Sequence, residues 1–286
     1  MAGACTFWGL MAPLGKDAMT HGLDGLTVVS FRVLGGALLF WFTSLFVKRE
    51  HVPMRDKLRF AGAGLFGLCF NQCCYTVGLS LTSPVNASIV TTSMPIFAMI
   101  LSALILKERM TVQKVSGVLI GCFGAVILVQ ASASAASDKE GNLTGDLLCL
   151  TAQISYALYL SLFNPLVKRY SVITVNKWMF LWSCLFILPF TSMHVIQTVS
   201  QSIPLKSYLE ALYVVLFGTY ISYILCMIGQ HSLRPTVVSV YNYVQPIVSV
   251  SVSLMLGLAV LRYSHLLAIV LVFAGVGMVI AARKKR

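Results

Sequence analysis

From Phe60 to Leu106 the chain runs 47 residues without an Asp, Glu, Lys, Arg or His, and comparable uncharged stretches fill most of the remainder. A hydrocarbon core of about 30 Å takes about 20 apolar residues of helix, and unsatisfied backbone groups are so costly in lipid that only helices and closed barrels span it. Barrel strands alternate apolar and polar positions over about ten residues. These stretches are instead continuously apolar and carry Gly and Pro, as membrane helices tolerate. The pattern predicts an all-α membrane protein with ten transmembrane helices, at 3-20, 26-47, 58-81, 85-106, 112-131, 145-166, 174-193, 209-232, 236-257 and 264-282. The first span has no basic segment before it and no small-residue cleavage site after it, which predicts a retained helix rather than a signal peptide.

Composition agrees, with 58% hydrophobic and 10% charged residues where soluble domains carry about 25% charged. The 21 Lys and Arg set the orientation, because short cytoplasmic loops hold an excess of them. Sixteen fall on one side of a ten-span chain, Lys16, Lys139, Lys206 and Arg262 fall on the other, and Arg32 lies within the second span. Both termini of this multi-pass chain are therefore expected in the cytoplasm. The net charge of +12 does not point to nucleic acid, since its cations sit at loop positions set by topology rather than in one basic stripe. The expected partners are the lipid bilayer and a small-molecule substrate, with no nucleic acid, and the chain is expected to act as a monomer.

All eight cysteines fall inside predicted spans, where a free thiol behaves as a small hydrophobe. Their spacing suggests neither a disulfide framework nor, without nearby His, a zinc site. No metal and no cofactor are expected.

The small, polar stretch after Ala133 reads as a linker, which predicts a first repeat over 1-131, a linker over 132-143 and a second repeat over 144-286. At a constant offset of 151, Pro84 pairs with Pro235, Ser88 with Ser239, Pro95 with Pro246, Ser102 with Ser253 and Gly124 with Gly275. Because five helices are an odd number, the second copy enters the membrane from the opposite side. The fold expected is two inverted five-helix repeats, an architecture of secondary transporters, which bind solute at the repeat interface near the bilayer midplane.

The stretch SPVNASIVTTSMPIFAMILSALILKERMTVQKVSGVLIGCFGAVILV, with Pro95, Glu108, Gln113, Gly117 and Gly124, resembles the EamA domain of the drug/metabolite transporter superfamily. Phe7-Trp8-Gly9, Phe31-Arg32 and Gly145-Asp146 are similar to that family as well. The resemblance covers the chain as two EamA copies. It implies ten helices, cytoplasmic termini, a place in a cell inner (plasma) membrane and export of small metabolites or drugs. Where the second copy would carry the glutamate, this sequence has Ala259.

Pro95 and Pro246 fall mid-span, and each would free a carbonyl four residues earlier, at Thr91 and Asn242. Either Thr92 or Ser93 satisfies a mere packing kink, or both broken faces turn toward a central pathway. Asn71, Gln72 and Tyr75 place polar groups near the middle of span three, and Gln72 maps onto Tyr223 at the repeat offset. Span nine adds Tyr241, Asn242, Tyr243 and Gln245. With Trp8, Tyr156, Tyr159 and Tyr220 these residues are expected to line a cavity for a partly apolar solute, though amides and aromatics also serve helix packing and interfacial belts. Arg32 reads either as a structural hydrogen-bond donor, with Asp17 the nearest acidic candidate, or as an attractor for a carboxylate-bearing solute. Glu108 reads as part of a local ion-pair cluster or as a gate latch. The glycines of spans three and five are assigned to helix packing.

The function expected is a secondary transporter exporting small metabolites, amino acids or related amphipathic compounds, by alternating access. Uptake or exchange of the same solutes, and a non-transporting receptor or scaffold, are the alternatives. No GxSxG, HExxH or paired intramembrane carboxylate is present, so no catalytic residues and no enzymatic activity are expected. With no carboxylate near a predicted midplane, downhill facilitated transport is favoured over proton antiport.

Overall fold

The computed structural model describes residues 1–81, 90–133, 143–201, 203–255 and 263–284, which are all helix and connecting turns, with no strand among them. The expectations for Pro84, Ser88 and Ala259, and most of the linker, lie outside the described residues. In chain order the helices are α1 (Ala2–Thr20), α2 (Gly25–Ser44), α3 (Met54–Gly64), α4 (Asn71–Leu81), α5 (Met94–Leu106), α6 (Val112–Ala133) and α7 (Leu143–Leu162). After them come α8 (Asn164–Arg169), α9 (Val172–Val199), α10 (Leu205–Val215), α11 (Ser222–Ser232), α12 (Pro235–Val240), α13 (Val244–Met255) and α14 (Tyr263–Lys284).

Gly25–Ser44, Val172–Val199 and Leu205–Ser232 are each long and apolar enough to cross a bilayer. Large apolar side chains face outward, with Phe190 82% and Leu104 71% exposed. Patches of that kind are rare on soluble monomers and mark surfaces that meet lipid or a partner. Local signals start and stop the helices: the Asp24 carboxylate accepts from Leu26 N to cap α2, and Ser171 Oγ accepts from Thr174 N to cap α9.

Two departures from regular α-geometry recur. A π-helical segment, Leu65–Phe70, joins α3 to α4, and another, Leu216–Ile221, joins α10 to α11. In the second, the Thr219 and Ser222 hydroxyls donate to carbonyls five residues earlier, at Val214 and Phe217. Single π-turns inside α-helices cluster at functional sites. The bounds of α3, this π segment, α4 and α6 all return 151 residues later as those of α10, its π segment, α11 and α14.

Packing repeats in the same way. α1 packs on α10, α11 and α13, as α7 packs on α4, α5 and the first π segment, while α2 pairs with α9 and α6 with α14. Gly117 lies against Gly275 and Gly124 against Ala268; the 151-residue offset turns the first contact into the second. Where helices share lipid as solvent, packing and interhelical hydrogen bonds hold them together, and glycine lets backbones approach. At Gly67 a Cβ would fall 2.8 Å from the Tyr159 ring, and at Gly64 2.7 Å from the Met179 carbonyl.

Regular helix is interrupted next to both prolines at which breaks were expected. Pro95 occupies the first turn of α5, after a turn at Thr92 and Ser93, and Pro246 follows the 3-10 turn Tyr241–Tyr243 near the start of α13. A proline in the first turn lacks a donor that the helix would leave unpaired anyway, so each break lies just before its proline. A third proline, Pro189, lies inside α9.

Candidate functional site

The centre of the protein is built where residues one repeat apart meet. Gln72 Nε2, on α4, donates to Tyr223 Oη, on α11, at 3.1 Å, across the 151-residue spacing. Cys184 Sγ reaches the Val33 carbonyl across the same spacing. The Tyr223 ring stands edge-on to Trp8, with centroids 5.8 Å apart, and edge-on to Phe180 at 5.1 Å. Trp8 Nε1 donates to the Gly218 carbonyl at 2.9 Å in the second π segment.

Arg32 joins this centre. Its Nε donates to Thr219 Oγ1 at 3.0 Å, and among the described residues Tyr75 and Tyr223 are close enough to act on its charge. Tyr75 is in turn hydrogen-bonded to Thr91. The structure therefore brings together Trp8, Arg32, Gln72, Tyr75, Thr91 and Tyr223, with Thr219 added. Tyr220 sits nearby against Phe40, its hydroxyl 2.6 Å from Thr43 Oγ1. The Asp17 side chain lies outside the described residues.

A second polar group connects α1, α5 and the span-nine break. Asn242 Nδ2 lies 3.4 Å from Met94 Sδ, its Oδ1 accepts from Gln245 Nε2 at 3.3 Å, and Cys5 Sγ approaches it at 3.8 Å. Thr92 Oγ1 lies near Cys122 Sγ. Tyr156 and Tyr159 run along α7 toward α11, where Tyr159 Oη donates to Gln230 Oε1 at 3.0 Å and Tyr156 Oη meets Cys226 Sγ.

Other expected lining residues contact the helices around them. Asn71 Nδ2 donates to the Ala152 carbonyl at 2.9 Å. Tyr243 is buried, its hydroxyl on the Val118 carbonyl and its ring filling the space left by Gly121. Tyr241 packs on the apolar cluster between α6 and α14. A separate apolar cavity of about 460 Å³, lined by Leu65, Cys69, Cys73, Leu185 and Phe190 among others, touches none of the expected site residues.

Glu108 reaches further than its local cluster. The left-handed turn at Lys107 (φ 51°) folds the carboxylate back so that Oε1 lies 2.7 Å from Lys114 Nζ. Its Oε2 accepts from Ser102 and, at 3.0 Å, from Thr236 of α12. Asp56 forms a comparable bridge: it accepts from the Tyr170 hydroxyl at 2.6 Å and pairs with Arg169 at 3.1 Å and Arg59 at 3.3 Å. The Tyr170 hydrogen bond and then the two guanidinium charges hold its carboxyl below the usual carboxylate range. Glu50 accepts from Ser171 N and Oγ; desolvation opposes its ionisation, but hydrogen bonds from Thr174 and Ser171 outweigh it and keep this carboxyl low too.

Thr219, Thr236, Gln230 and Asp56 were not anticipated as parts of these sites. For Thr219 the sequence offers no signal, because its role depends on the π-turn that carries it. Asp56 is an acid amid a basic loop, which is a signal of pairing.

Comparison with known proteins is consistent with this architecture. A protein of known crystal structure superposes with a TM-score of 0.79 over 99% of this chain and 96% of its own, at 19% identity, and so shares the fold. An uncharacterized transporter of Archaeoglobus fulgidus is 28% identical over 60% of this chain and 59% of its own length. Uncharacterized transporter YetK of Bacillus subtilis is 23% identical over 79% of this chain and 67% of its own. A probable amino-acid metabolite efflux pump of Salmonella typhimurium is 26% identical over 76% of this chain and 72% of its own. The model of the EamA-like transporter family matches residues 1–130 and again 143–281, so the chain belongs to the EamA-like transporter family.

Proposed function

We propose that the chain is a monomeric secondary transporter that exports small metabolites, amino acids or related amphipathic compounds, by alternating access. In this reading 1-131 and 144-286 are two inverted five-helix repeats of a ten-span protein in the inner membrane, with both termini cytoplasmic. The observation that carries it is the Gln72–Tyr223 hydrogen bond. It supports the reading because, if the copies are inverted, a contact between repeat-mates in the middle of apolar helices lies beside their common axis, where such a transporter holds its solute. The efflux named for the Salmonella relative supports export as the direction.

Three polar bridges join residues of the first copy to residues of the second: Glu50 with Ser171, Asp56 with Arg169 and Tyr170, and Glu108 with Thr236. All lie at the ends rich in Lys and Arg. We read them as the closed cytoplasmic gate, which parts when the site opens inward.

A thermal-shift screen of the purified protein against metabolites, followed by flux from proteoliposomes, tests the reading. A solute at a hundredfold its Kd stabilises the bound state by about 2.7 kcal/mol. Such a solute should leave loaded vesicles faster than it leaves protein-free ones, with the rate cut at least tenfold by Gln72→Leu. If no stabilising compound crosses above the protein-free rate, the chain is not a transporter of those compounds. A pH jump across the same vesicles separates downhill flux from proton antiport.

A further inference from the structure

Arg32 is 9% exposed, and its guanidinium carries five N–H donors in a planar fork. Nε takes Thr219 Oγ1, and among the described residues the remaining four find no protein acceptor. The ion pairs recorded among those residues involve Asp56, Glu108 and Glu210, so no described carboxylate neutralises Arg32. A cation buried in a bilayer without a counter-ion is costly, and such residues mark solute and ion pathways.

Packing does not call for it. The position one repeat later is Ser183, fully buried, whose hydroxyl is satisfied by the Gly64 and Met179 carbonyls. A small hydroxyl thus fills the equivalent place in the second copy, and the cation stands on one side of the axis alone. Its surroundings are the Tyr75 and Tyr223 hydroxyls and, beyond Tyr223, the Trp8 and Phe180 rings. One fork-shaped single charge beside an aromatic wall matches a planar carboxylate joined to an apolar body. A phosphate dianion would call for a second cation, and Arg32 is the only Lys or Arg in Gly25–Ser44.

We propose that Arg32 binds the carboxylate of the transported solute, whose class is a monocarboxylate on an apolar or aromatic body, amino acids included. This rests on the transport reading above. The test is the thermal stability of the purified full chain with a panel of monocarboxylates, each paired with its primary amide, beginning with 3-phenylpropionate and 3-phenylpropionamide. Phenyl phosphate serves as the dianion. The carboxylates should stabilise the wild type and the amides should not. Arg32→Gln should weaken apparent affinity by about 30-fold or more, as loss of one partner of a buried charge pair does. Arg32→Lys should fall between, keeping the charge without the fork.

Ligand-free melting and elution volume check that each variant folds; if Arg32→Gln does not, Arg32→Lys and the amide comparison decide. Equal stabilisation by acid and amide, tighter binding of phenyl phosphate, no response to any monocarboxylate, or unchanged affinity in a folded Arg32 variant overturns the proposal. Vesicle flux keeps the two readings apart. Flux indifferent to Arg32 overturns the anchor and leaves transport standing, whereas Arg32-dependent binding without flux overturns transport.

Discussion

Glu108→Ala is expected to lower the stability of the folded protein by about 3–5 kcal/mol, the loss typical when one partner of a buried ion pair is removed. The carboxylate and its partner Lys114 have side chains 2% and 5% exposed and lie 2.7 Å apart. Without Glu108, the Lys114 ammonium keeps the Arg109 carbonyl at 3.1 Å and has no counter-charge, while Ser102 and Thr236 each lose an acceptor. The double replacement Glu108→Gln with Lys114→Met should recover most of the loss, because two neutral groups no longer carry the desolvation cost of ions. Melting in detergent checks both. If the single variant melts within a degree of the wild type, Glu108 is solvated and the latch does not exist.

The second large effect belongs to Gly275. A Cβ there would lie 2.6 Å from the Gly117 carbonyl and the Gly121 nitrogen, and 2.7 Å from the Gly121 Cα. All three are backbone atoms of α6, so α14 must move as a body rather than a side chain turning aside. Gly275→Ala should cost about 3 kcal/mol, toward the upper end for overpacking. Gly277, two residues along the same helix, has nothing within 4 Å. There the same change should be neutral or stabilising by about 0.5–1 kcal/mol, as the unfolded chain loses freedom. Equal melting of the two variants would mean that the helices do not meet at Gly275.

The helices were legible because long uncharged runs leave the backbone no other way to satisfy itself in lipid. The predicted 112-131 and 264-282 became Val112–Ala133 and Tyr263–Lys284. Other boundaries were not legible. The turn that separates α8 from α7 falls inside the predicted 145-166, within apolar sequence, and α9 runs past the expected 193 to Val199. Neither π segment has a pattern of its own, since i→i+5 bonding leaves hydrophobicity unchanged.

The centre divides in the same way. Gln72 and Tyr223 share the repeat offset, but the offset does not say which repeat-mates touch: Arg32 and Ser183 share it too and bond elsewhere. The Arg32–Thr219 bond joins residues that are not repeat-mates, so no offset could reveal it. Tyr243 shows the remaining ambiguity: a tyrosine in an apolar span looks the same whether its hydroxyl meets a solute or, as here, the Val118 carbonyl. Glu108 resembled a local cluster because Lys107, Arg109 and Lys114 are its sequence neighbours, whereas Thr236 lies 128 residues away.

The two-copy arrangement is tested most directly by labelling equivalent positions from each side of the membrane. Met54 and Leu205 open equivalent helices 151 residues apart and are 63% and 73% exposed. Each is changed singly to cysteine, in a background whose native cysteines are replaced, and treated with a membrane-impermeant maleimide on right-side-out and inside-out vesicles. Inverted copies require Met54→Cys to react from the cytoplasmic face alone and Leu205→Cys from the opposite face alone. Reaction of both from the same face would contradict the inverted arrangement, and with it the shared central site.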